Sequence, residues 1–362
     1  MQAAQWLRQI WSFVRNHLVM ALSIVSAFFL LVALTTFSRF PQLVEWLYTR
    51  RVYPLLAKIL SPLAAAMSFS LSEISLYIGI LGAVFWGIRG IIVRRRFIRT
   101  ALELCAGAAF LVLWFYLAWG FNYLRPPIEQ QLQLAAVEPD SSALRENFLW
   151  CIEQANAMWQ PTSPWDLPDL DKEIERCYGE AFADLNMPRI SGRWPPKFLI
   201  MPALLDYTLT SGIFGPFFHE VHLNSHLLPV EMPFVLAHEK AHGRGFARES
   251  EASFVAVLVC LRSPNQAVRY SAYFALLGRF MNRYRDFAGA DSLEHKIRPE
   301  IMADFAAVWR RYEKYMGPLA EASHKSYDLY LRANQVEGGV RNYGDVVELV
   351  MRWRKSKNGL ME

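Results

Sequence analysis

His238-Glu239-Lys240-Ala241-His242 carries the residues best suited to chemistry in this chain. Two histidines four apart lie one turn apart on the same helix face. From there both imidazoles can reach a single zinc ion. Glu239 lies on the adjacent face, where a carboxylate can take a proton from a water that the ion has made acidic. The reaction that fits is metal-assisted attack of water on an amide or ester. The chain has 8 histidines in 362 residues. An accidental match to three fixed positions is then expected on the order of once in a hundred such chains.

A catalytic zinc takes three protein ligands and keeps one position open. One completion of the motif is H-E-x-x-H-x-x-G-x-x-H. Gly245 stands at its glycine, but Arg248 stands at its last position. A guanidinium has no lone pair to give, so that completion fails. Two carboxylates remain, Glu249 and Glu251, at the start of the next helix after a glycine turn. Glu251 precedes Ala252 and Ser253, and small residues let two helices close around a metal. The carboxylate that is not a ligand would orient one, or sit as a helix N-terminal charge favoured by the dipole.

Five of the eight histidines fall within residues 219–242. His219, His222 and His226 therefore count as candidates for a second metal or for stabilising an oxyanion, or else as a polar rim. Glu220 and Asn224 share that segment and are candidates for the substrate cleft, a role that rests on the family resemblance given below; an edge strand there could pair with a peptide backbone. Tyr207, Tyr343 and Arg248 are candidate oxyanion donors. His295 and His324 read as surface residues.

The elements that must position these residues fall into two parts. Of the 362 residues, 53% are hydrophobic, and they are unevenly spread. Residues 18–38 and 104–124 hold no charged side chain, and residues 74–93 hold only Arg89. About 20 helical residues cross a hydrocarbon core of about 30 Å, so these are expected spans. The first is too long for a signal-peptide core and lacks a cleavage site. Residues 40–71 are amphipathic and broken by prolines, as in short helices lying on the membrane face. Arg94-Arg95-Arg96 and Arg99 mark the link between spans two and three as cytoplasmic, which places everything after about residue 125 outside. A membrane domain over 1–125 and an extracytoplasmic domain over 126–362 follow. The net charge of +5 comes largely from Arg and Lys flanking the spans and is no nucleic-acid footprint.

In the outer domain the pattern predicts helices at about 143–158 and 168–185, strands at 197–204 and 213–223, and the motif helix from Glu231-Met232-Pro233 to Gly243. Further helices are expected at about 249–262, 265–286, 297–316, 318–334 and 343–355. Cys151 and Cys177 could pair in an oxidising space, and Cys105 and Cys260 read as packing residues.

The run from Ala237 to Phe254 resembles the core of an uncharacterised bacterial family of multi-span membrane proteins. That family is classed as a domain of unknown function and suspected to be a gluzincin-type zinc peptidase. Trp119-Gly120-Phe121-Asn122-Tyr123, Gly212 to Asn224, Tyr330-Leu331 and Asn342-Tyr343-Gly344 extend the resemblance over nearly the whole chain. Ser253 stands where the family has Asn. The resemblance implies Glu251 as third ligand, with Glu249 as its rival, and a mainly α chain with a zincin-like α+β domain bearing a small sheet.

The expected function is a metallopeptidase anchored in the bacterial cytoplasmic membrane. His238, His242 and Glu251 would hold Zn2+, Glu239 would be the catalytic base, and the substrate would be a peptide or protein. Its rival is a non-catalytic zinc-containing sensor or scaffold, which intact Glu239 disfavours. A transporter is disfavoured because Arg89 is the lone charge within the spans.

Overall fold

The computed structural model describes residues 25–93, 97–137, 141–188, 190–285, 293–334, 336, 339 and 345–356. Tyr343, Asn342, Gly344 and the Arg94-Arg95-Arg96 cluster lie outside these residues, as does the beginning of the first expected span. The described chain is mainly helical with one small sheet.

The first helix, α1 (Val25–Arg39), turns by 108° into α2 (Pro41–Ala65). Pro41 suits a first helical turn because its missing N–H would be unpaired there in any case. One face of α2 is buried through Val44, Tyr48, Tyr53 and Ala57. The other exposes Trp46, Leu55, Ile59 and Leu63. Residues 40–71 therefore do more than lie on a surface, because half of α2 belongs to the protein core.

Two helices are long and apolar enough to cross a membrane, α3 (Leu71–Val93) and α4 (Phe97–Ala118); α1 with α2 adds a third only as one broken span. These helices mark the chain as a membrane protein. Ser70 caps α3, its Oγ accepting from Glu73 N at 2.9 Å. The third expected span is displaced, since its helix stops at Ala118 rather than 124. Gly120–Leu124 folds as a tight turn buried in the protein. Those residues are apolar because they pack against protein rather than lipid.

Helices α5 (Ser141–Met158) and α6 (Leu167–Asp184) follow. The sheet comprises β1 (Pro196–Phe198), β2 (Gly212–Gly215) and β3 (Glu220–Leu223), in the order β1-β3-β2. β1 runs parallel to β3, and β2 antiparallel to it with Ile213 opposite His222. The expected strand 197–204 ends at Phe198 because Ile200 N and Met201 N donate to the Glu73 carboxylate instead of a neighbouring strand. The expected strand 213–223 is a hairpin, interrupted at Pro216 and turned at His219, whose φ is 56°.

Helices α7 (Met232–Gly243), α8 (Glu249–Cys260), α9 (Gln266–Arg285), α10 (Pro299–Glu313), α11 (Pro318–Ala333) and α12 (Val346–Ser356) complete the chain. Every residue of α8 is buried, so it is the central helix. It packs against α6, α7, α9 and α12, while α7 also packs against β2 and β3. Such all-round burial suits a helix with apolar residues on every face.

All four cysteines are free. Cys151 does not pair with Cys177; its thiol faces Tyr273 O at 4.0 Å.

Candidate metal centre

α7 presents His238, Glu239 and His242, and α8 opens with Glu249 beside them. The two imidazole Nε2 atoms are 3.1 Å apart. Glu249 Oε2 lies 3.0 Å from His238 Nε2 and 3.5 Å from His242 Nε2. Three tetrahedral ligands about 2.0–2.1 Å from one ion have their atoms about 3.3 Å apart. The observed spacings fit a small divalent cation. Among the described residues, His238, His242 and Glu249 are the group of His, Cys, Asp or Glu side chains placed to share one metal.

The far side of each imidazole is also held. His242 Nδ1 lies 2.7 Å from Phe246 O. A carbonyl only accepts, so Nδ1 carries the hydrogen and the neutral ring keeps its lone pair on Nε2. His238 Nδ1 lies 3.2 Å from Ser253 Oγ, which accepts from an Arg279 guanidinium N–H at 3.3 Å. Glu249 Oε1 accepts from the Tyr327 hydroxyl of α11. Partners of this kind fix ring orientation and ligand basicity.

The carboxylate that stands beside the two imidazoles is that of Glu249, the rival, and not that of the favoured Glu251. Residues two apart on a helix point about 200° apart, so only one of the two can face α7. The phase is set by the turn before α8. Gly245 adopts φ +83° there, and Arg248 is extended as the N-cap. A Cβ on Gly245 would also come within 3.1 Å of Asn122 Oδ1. Glu251 turns to the linker instead, accepting from Arg248 Nη1 at 2.7 Å and Ile128 N at 3.1 Å.

Charge in the cluster is organised around its centre. Burial pushes the Glu239 carboxyl up to about 8. Burial also resists a charge on His242, yet the carboxylates of Glu249 and Glu239 outweigh it and raise the imidazole to about 9. Glu249 sits well below the usual carboxylate range; burial opposes this, and the His242 charge with hydrogen bonds from both imidazoles prevails. Burial lowers His238. The metal-free cluster thus draws positive charge to the place where a cation would bind.

β2 lies along Glu239. A Cβ on Gly212 would stand 2.8 Å from Glu239 Cγ, and the main-chain N–H of Phe214 is close enough to the Glu239 carboxylate to favour its charged form. β2 is an edge strand. Asn224 N donates to Ser211 O at 2.9 Å. Antiparallel alternation then points the main-chain groups of Gly212 and Phe214 away from β3.

The upstream polar residues do not join the cluster. His219 is buried, with Nε2 3.1 Å from Ala118 O and Nδ1 without a hydrogen-bond partner among the described residues. Glu220 accepts from Leu71 N, Ser72 N and Lys197 Nζ at 2.7–2.9 Å. His222 Nε2 lies 2.8 Å from Ser70 Oγ. Asn224 holds Asp206, as does His226. Tyr207 is exposed against Tyr315. Arg248 is taken up by Glu251 and by the carbonyls of Tyr123 and Arg125. His295 and His324 are exposed, as expected. These upstream residues instead build the hairpin and fasten it to the start of α3.

Tyr327, Trp119 and Gly212 were not anticipated as parts of the site. Trp119 Nε1 donates to His242 O at 2.8 Å, and its ring stands edge-on to the imidazole. Tyr327 and Tyr330, three apart on α11, stack on one another; that spacing was the available signal.

Contacts also cross the expected division at residue 125. Arg125 Nη1 donates to Gly245 O at 3.0 Å, and Tyr53 OH to Gly243 O at 2.8 Å. The segments before residue 125 thus help to hold the turn that sets the phase of α8.

No curated protein and no solved structure matches the chain at a significant level. The sequence model of a family described as a protein of unknown function, DUF3810, matches residues 48–351. That stretch contains both spanning helices, the sheet and the His–His–Glu cluster, and the chain belongs to this family.

Proposed function

We propose that the chain is a zincin-like zinc peptidase, anchored in the bacterial cytoplasmic membrane with its site on the outer side. The observation that carries this reading is the convergence of His238 Nε2, His242 Nε2 and Glu249 Oε2 beside a buried Glu239 on the motif helix. Zinc bound there would act as a Lewis acid toward the amide carbonyl and the attacking water.

Glu239 takes the water's proton and delivers it to the leaving nitrogen. Its carboxyl is raised to about 8 before metal binds, and a neighbouring cation would favour the carboxylate form needed for a base. The nearby main-chain N–H of Phe214 favours the charged form of that carboxylate. The outward main-chain groups of Gly212 and the carbonyl of Phe214 are suited to holding an extended peptide by strand addition. Tyr327 orients Glu249. The orientation of the chain rests on its basic residues.

Glu239→Gln in the full-length protein should keep bound zinc and lower kcat for peptide hydrolysis by about 10²–10⁴-fold. Unchanged hydrolysis would remove Glu239 from the chemistry.

A second reading, a non-catalytic zinc sensor or scaffold, draws on the closure of the site. Glu239 is 5% exposed and Glu249 3%, so a substrate needs α11 displaced or a path along β2. Among the described residues no fourth ligand joins the three, whereas a structural zinc is usually held by four protein ligands. That difference favours the peptidase.

A further inference from the structure

We infer that the substrate is a membrane-tethered polypeptide, cut at a bond within a few residues of its membrane anchor. The inference rests on the peptidase reading and names its substrate class.

The cluster is pinned to the ends of both spanning helices. Trp119, which directly follows α4, holds His242 O. Ala118, the last residue of α4, meets His219 in the β2–β3 turn. Trp114, one turn inside α4, donates to Phe217 O at 3.2 Å. On the other helix, Leu71 N and Ser72 N donate to Glu220 of β3. Glu220 pairs with Gly215, and a Cβ on Gly215 would lie 2.6 Å from Ser72 Oγ.

β2 therefore runs from Glu239, at Gly212, to the mouth of α3, at Gly215. Three strand residues span about 10 Å. A peptide added to that edge reaches the lipid surface within a few residues of the bond beside Glu239.

Apolar side chains mark the same level. Leu55, Ile59 and Leu63 repeat every four residues on the exposed face of α2. That helix meets α1 at 108°. Its opposite face, through Tyr53, touches Gly243 at the end of the motif helix. Phe69, Ile200 and Met201 are exposed beside the start of α3. A helix with lipid-facing residues on one side and the motif helix on the other puts the site at the bilayer surface.

The test uses full-length protein in phosphatidylethanolamine–phosphatidylglycerol vesicles with zinc. One quenched fluorescent peptide of mixed sequence is offered free, or carrying a palmitoyl chain through a spacer of about 4 or about 20 residues. Both acylated forms concentrate at the membrane, so only reach differs. Effective concentration falls roughly as the −3/2 power of linker length, so the short spacer should be cut about tenfold faster than the long one. Equal rates, or a faster free peptide, would overturn the inference and leave the peptidase reading standing. Cleavage of none of the three would defeat that reading itself, and the inference with it.

A readout independent of turnover is a spin label on Ile213→Cys in a Cys105→Ser background. Lipid-borne nickel chelate should relax it more strongly than soluble chelate; the reverse order would place β2 away from the membrane and overturn the inference.

Discussion

The indole N–H of Trp119 donates to the carbonyl of His242, 123 residues away in sequence, at 2.8 Å. It joins the end of a membrane-spanning helix to the last turn of the motif helix. Both groups are buried, so removing the donor leaves the carbonyl without this partner. Trp119→Phe keeps a ring and deletes the hydrogen bond. His242 O still accepts from Gly245 N at 2.9 Å, so the loss should cost about 0.5–1.5 kcal/mol of stability and weaken zinc binding. Thermal unfolding in detergent, with and without zinc, would register both effects; an unchanged melting temperature in both conditions would mean the contact carries no weight.

Gly212 faces Glu239 so closely that a methyl group would stand 2.8 Å from Glu239 Cγ and 2.9 Å from Oε1. Gly212→Ala should displace Glu239 without touching a metal ligand. A misplacement of about 1 Å can cost about 10²-fold in rate. The expected result is a kcat reduced by about that factor with zinc content near wild type. Full activity in this variant would show that Glu239 tolerates displacement, and hence that its position is not critical.

His219 gives the fold a pH dependence. Burial holds its imidazole at about 4, against an ordinary 6.5. The folded state resists a proton that the unfolded chain accepts, so stability is full above about pH 6.5 and falls as pH drops towards 4. A depression of this size corresponds to roughly 3 kcal/mol. His219→Asn suits the left-handed backbone, which Asn tolerates, and removes the titration. Melting temperatures between pH 6.5 and 4 should decline less steeply in the variant than in wild type. Parallel slopes would assign the acid sensitivity to other groups.

Much of the helical layout was legible because capping residues, prolines and glycines bound each helix. Asp166 caps α6, accepting from Asp169 N at 3.0 Å, and Pro233 opens the motif helix. That Glu249 rather than Glu251 faces the two histidines has a readable reason. Small residues do line the approach of α8 to α7, but they are Ala252, Ser253 and Ala256, which are three, four and seven residues after Glu249 and so share its face. The same offsets from Glu251 give Phe254, Val255 and Leu258, which are large. The end of α4 and the buried face of α2 were harder to see. Apolar residues packed on protein and apolar residues facing lipid look alike in sequence, and only the partners of Trp119 and Tyr53 separate them.

Metal content per chain in the purified full-length protein bears most directly on the proposed site. Wild type, Glu249→Ala and Glu251→Ala would be compared after dialysis against trace zinc. The expected result is about one zinc per chain in wild type, a large loss in Glu249→Ala, and retention in folded Glu251→Ala. A wild type without zinc would contradict the metal centre. Zinc lost with Glu251 but kept without Glu249, in proteins of equal melting temperature, would contradict the ligand set drawn from the geometry.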